Sequence, residues 1–156
     1  MSKDKWLLEL KKMKKKYGCK RGKLIFLPII KNPYTFMDLI LIPKKDINIP
    51  EYARKYVLAH EFGHVYKKHN LLSYFLVFAI CLIFINKLEI VYMLLGGIII
   101  TQGIFAEYFE YQADKMAVLI VGKETVIDGF MWFTKRTKSE NTIVRKKRLE
   151  RILNVF

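Results

Sequence analysis

His60-Glu61-Phe62-Gly63-His64 places two imidazoles four residues apart with a carboxylate beside the first. On a helix, residues four apart share one face, so His60 and His64 can address one metal ion. Glu61 lies one step around the same helix and can reach a water at that ion. Two ligands and a neighbouring general base predict a zinc site with hydrolytic chemistry. The flanks, Val57-Leu58-Ala59 and Val65-Tyr66, are uncharged, as a partly buried helix requires. The competing view, a surface helix with two incidental histidines, is weakened because the chain has three histidines in all.

Catalytic zinc takes three protein ligands and keeps one position open. A third histidine ten residues after His60 is absent, for that position is Asn70, and His69 is out of register. Cys19 and Cys81 are isolated, without paired spacing, and neither suits the site. Glu110 and Asp114 are the better candidates. They are four apart on a stretch that is otherwise apolar: Phe105, Phe109, Ala113, Met116, Ala117. Glu110 is expected to bind the metal, with Asp114 accepting the far N–H of a ligating histidine. Glu107 is the rival ligand; Glu110 is preferred because it alone has a carboxylate four residues downstream. A merely solvated acidic face fits poorly on so apolar a segment.

These two motifs, His60 to His64 and Glu110-Tyr111-Gln112-Ala113-Asp114, resemble those of the gluzincins. The chain is similar to the HtpX and CAAX prenyl protease group and to the small soluble minigluzincins. Asn32-Pro33-Tyr34, followed by Leu39-Ile40-Leu41-Ile42, is similar to that group's Asn-Ala-Phe segment and strand. The resemblance implies that this strand lines the cleft and holds substrate backbone. Arg148-Leu149-Glu150-Arg151-Ile152-Leu153 is similar to its C-terminal Arg-Ile-x-x-Leu helix, although Asn141-Thr142 stand where a His-Pro usually precedes it. The implied activity is a zinc (Zn2+) metalloendopeptidase, with Glu61 as general base. The implied oxyanion donor comes from the C-terminal part, where Arg145 and Arg148 both remain open.

The elements that must carry these residues follow from composition. The chain of 156 residues is read as one domain of α+β class. A small zincin-like catalytic unit, a β-hairpin or small sheet plus the two motif helices, is expected to hold an inserted apolar hairpin at 71–106. Apolar residues make up 53% of the chain, yet Lys and Arg number 28 and the net charge is +14. Residues 71–85 and 90–106 are uncharged, and Lys87 is the one basic residue within 71–106. Helices apolar all round need a large core or lipid, and this chain is small for the former. A transmembrane hairpin is therefore expected, although each run is shorter than the ~20 residues of a full span. Both motifs must meet at one ion, so the hairpin leaves and returns on one side. Basic residues flank it on both ends, which puts the site in the cytoplasm. No signal peptide is read in residues 1–22, and two isolated cysteines suit a reducing compartment.

Residues 4–17 read as a basic amphipathic helix with Trp6, Leu7, Leu10, Met13 and Tyr17 on one stripe, lying on anionic lipid or docked on the body. Residues 23–30 and 36–42 read as a β-hairpin. Pro50 is expected at the first position of a helix over 51–69, and Gly122 at the end of the Glu110 helix. Further helices are expected over 123–135 and 145–154, joined by a polar loop. The expected partners are a protein or peptide substrate and the bilayer; no nucleic-acid motif accompanies the charge, and the oligomeric state is left open. Two other functions compete with this reading: a regulatory metallopeptidase cleaving one repressor or partner, and a non-catalytic protein stabilised by zinc in a closed four-ligand site.

Overall fold

The computed structural model describes residues 2–68, 88–137 and 142–155, with backbone alone for 2, 88–104, 137 and 142–145. Five α-helices and a three-stranded sheet lie among them: α1 (Ser2–Lys16), β1 (Lys23–Leu27), β2 (Tyr34–Phe36), β3 (Leu39–Pro43), α2 (Glu51–Lys67), α3 (Leu88–Val121), α4 (Lys123–Thr137) and α5 (Thr142–Leu153). The class is mixed α+β, as expected.

The sheet order is β1-β3-β2. β1 runs parallel to β3, with Lys23 opposite Leu39, and β2 runs antiparallel to it, with Phe36 opposite Leu39. The expected hairpin between 23–30 and 36–42 is therefore replaced. The hairpin that forms is β2–β3, turned at Met37, whose φ of 52° is left-handed. Residues 28–33 carry the chain across β3 from β1 to β2. Pairing of this kind depends on a crossing loop that strand periodicity does not report.

α2 is the central element. Tyr56, Val57, Leu58, Ala59, Phe62 and Val65 are buried around its girth, and it packs against α1, α3, α4, β2 and β3. Pro50 has extended backbone as its N-cap, one residue before the expected place, and Lys68 in left-handed conformation ends the helix. Against α2, the sheet contributes Ile40 and Ile42 and α1 contributes Trp6, Leu10 and Met13, all buried. The N-terminal helix is thus docked on the body. Trp6 donates its indole N–H to Ile47 O at 3.0 Å, which satisfies a fully buried polar atom, and Glu9 pairs with Arg54 on α2 at 3.0 Å. Leu7, expected on the inner stripe, is 48% exposed.

α4 lies close to α2. A Cβ built on Gly129 would stand 2.3 Å from Tyr56 Cβ, so only glycine fits there. Gly129→Ala is expected to lower Tm by ~3 °C. Overpacking costs about 1–3 kcal/mol, of which better helix propensity returns about 1. An unchanged Tm in a circular-dichroism melt would contradict this packing.

α3 is one continuous helix, and it ends where Gly122 takes a φ of 87°. Of the expected hairpin, residues 71–87 and the side chains of 88–104 lie outside what is described. No helix among the described residues is long and apolar enough to cross a membrane. Residues 138–141 of the expected polar loop also lie outside.

Candidate metal centre

Gly63 lets α2 and α3 approach backbone to backbone. A Cβ there would meet Ala113 Cα at 3.1 Å and Ala113 O at 3.2 Å. That contact sets the histidine face of α2 against the turn of α3 that carries Glu110. His60 Nε2 lies 3.3 Å from His64 Nε2. Glu110 Oε2 is 3.3 Å from His60 Nε2, and Glu110 Oε1 is 3.3 Å from His64 Nε2.

These edges test the donor set against zinc. A tetrahedral ion with bonds of about 2.0–2.1 Å has donor–donor edges of about 3.3–3.4 Å. Two imidazole nitrogens and a carboxylate meet that edge length, so the donors fit a zinc ion in both chemistry and spacing. They are the three residues that, among those described, could hold a metal. Glu107, the rival ligand, is instead 68% exposed and pairs with Arg151 at 2.7 Å. His69 and Cys81 lie outside the described residues.

Asp114 is 2% exposed, and its Oδ1 lies 2.9 Å from His60 Nδ1. An Nδ1–H donated to Asp114 leaves Nε2 as the nitrogen that faces Glu110 and His64. Arg148 on α5 grips the same carboxylate twice, with Nε donating to Oδ2 at 2.7 Å and Nη2 to Oδ1 at 2.8 Å. Its Nη1 reaches Glu110 Oε2 at 2.9 Å, and its guanidinium lies over the Phe130 ring. The structure thus brings Arg148 to the centre, while the Arg145 side chain is outside the described set. A choice between the two arginines needed the docking of α5, which no local pattern contains.

The charges act on one another strongly. Burial alone would lower the His60 pKa, but Glu110 and Asp114 outweigh it and raise it to about 10. Burial would raise Glu110, but His60, His64 and Arg148 hold its carboxyl well below the usual carboxylate range. Asp114 is likewise held low, because His60 and Arg148 outweigh its burial. The Tyr56 hydroxyl, 3.4 Å from Arg148 Nη2, is pushed up by burial.

Glu61 is 8% exposed. Its carboxylate accepts a hydrogen bond from Thr35 Oγ1 at 2.5 Å. Sequence reasoning missed Thr35, because a single hydroxyl in a three-residue strand carries no pattern. The strand expected to line the cleft, β3, is paired on both sides, so the edge beside α2 belongs to β2.

Two helices that turn two imidazoles and a carboxylate toward one point, beside a small mixed sheet, define the class as a small α+β metalloprotein. Within it, the model of peptidase family M48 matches residues 48–131, over half of the chain. The chain belongs to that family, whose members are zinc-dependent metallopeptidases. The match spans α2, α3 and most of α4. No curated protein and no solved structure matches the chain.

Proposed function

We propose that the chain is a membrane-anchored zinc endopeptidase of the HtpX and CAAX prenyl protease type, a gluzincin with its site facing the cytoplasm. The observation that carries the peptidase reading is the near-equal 3.3 Å spacing among His60, His64 and Glu110, with Glu61 adjoining. His60, His64 and Glu110 would be the metal ligands, and Asp114 would orient His60. A zinc ion held there supplies Lewis-acid polarisation of the scissile carbonyl and acidifies a water. Glu61 takes the proton from the attacking water and delivers it to the leaving nitrogen. The substrate is a protein or peptide. Catalysis requires a fourth position open to water, whereas a structural site would close it with a fourth ligand.

The membrane reading rests on the uncharged runs at 71–85 and 90–106. The second run has helical backbone continuous with the turn that carries Glu110. Cysteine labelling in intact cells, in a background lacking Cys19 and Cys81, tests it. A probe at Lys87 should react from outside, and probes at Lys67 and Lys123 should not. A chain fully soluble without detergent would remove the anchor and leave the peptidase reading standing.

For the peptidase reading, purified protein should hold about one zinc per chain and cleave unfolded casein. A chelator should stop cleavage and added zinc restore it. Glu110→Ala should lose the zinc and Glu107→Ala keep it; the reverse pattern would overturn the ligand assignment.

A further inference from the structure

We propose that Thr35 is a positioning residue for Glu61, an inference that rests on the proton-transfer role given to Glu61 above. Thr35 is the middle residue of β2 and is buried, while Tyr34 and Phe36 on either side are exposed. Strand alternation turns its side chain to the face opposite theirs. There Oγ1 meets Glu61 twice, at 2.5 Å from Oε2 and 3.2 Å from the backbone carbonyl. A hydroxyl so close to a carboxylate oxygen makes a short, charge-assisted bond.

The helix itself does not ask for this hydroxyl. Within an α-helix the carbonyl of residue 61 already accepts from the amide four residues on. A buried strand position is filled at least as well by valine, and burying a hydroxyl is unfavourable unless it is bonded. What Thr35 adds is a fixed point for a side chain with three rotatable torsions. One oxygen of Glu61 is tied to the sheet, which fixes the orientation of its carboxylate.

The test compares the zinc-loaded full-length parent with Thr35→Val, Thr35→Ser and Glu61→Gln, using fluorogenic casein. Thr35→Val should keep parental zinc content and lose about 10–100-fold in kcat, with KM within about twofold, the scale of a misplaced catalytic group. Thr35→Ser should recover to within about threefold. Crystal structures should show Glu61 against residue 35 in the parent and in Thr35→Ser, and turned away or split in Thr35→Val. Parental kcat in Thr35→Val with Glu61 in place would overturn the proposal. So would a Thr35→Ser enzyme as impaired as Thr35→Val, which would assign the loss to methyl packing. If parent and Glu61→Gln are equally inactive, the role of Glu61 fails separately, and the crystal structures still decide whether Thr35 holds it.

Discussion

Glu61→Gln is expected to bind zinc as the parent does and to turn over peptide at least ~100-fold more slowly, the usual scale for removal of a general base. The expectation comes from separable roles on one helix. The three donors that meet at 3.3 Å are His60, His64 and Glu110, and Glu61 is not among them. The substitution therefore leaves the donor set intact. Gln has the same shape, and its carbonyl oxygen can still accept from Thr35 Oγ1, so the buried contact survives. What it lacks is a site that takes a proton from water near neutral pH. The measurement is zinc content by elemental analysis beside kcat on casein. Loss of activity together with zinc would mean that the residue shapes the metal site. Activity equal to the parent would sink the role of general base.

What could be read in the sequence was what periodicity encodes. His60 with His64, and Glu110 with Asp114, are i,i+4 pairs, and a helix alone puts each pair on one face. The preference for Glu110 over Glu107 came from the same spacing, and the structure brings Glu110 to the histidines while Glu107 faces Arg151. Gly122 ended its helix as expected because a left-handed stop is local. The rest depends on elements far apart in the chain. The parallel pairing of β1 with β3 needs a loop that crosses a strand. The need for glycine at 129 exists only because Tyr56 of another helix stands 2.3 Å from where its Cβ would be. Arg148 could not be told from Arg145 until α5 docks and its guanidinium closes on Asp114. Leu7 shows the converse: its place on an apolar stripe predicted burial, but α1 sits on the body through Trp6, Leu10 and Met13.

Zinc affinity is expected to rise with pH between 7.5 and 9, with protons released as the ion binds, one of them from His60. Metal ligation needs a neutral imidazole. In the metal-free protein Glu110 and Asp114 outweigh burial and raise His60 from its ordinary 6.5 to about 10. Throughout that window the metal-free His60 therefore keeps its proton, and zinc must displace it. Glu110 gives up none, because its neighbours hold it ionised far below this range. The same shift has a consequence for the metal-free fold. A raised histidine pKa contributes stability that is fully present below about 6.5 and is lost as pH rises through about 10. Raising the pH thus weakens the metal-free form while it favours the zinc form, so the gain in Tm on adding zinc should grow from pH 7.5 to 9. Calorimetric titration at pH 8, in buffers of different protonation enthalpy, measures the proton count. Asp114→Asn removes one of the two charges that hold the proton on His60, so its proton release at pH 8 should fall below the parent's. An affinity flat with pH and no released proton would mean that His60 is already neutral. The ion pairs seen around it would then not govern metal uptake.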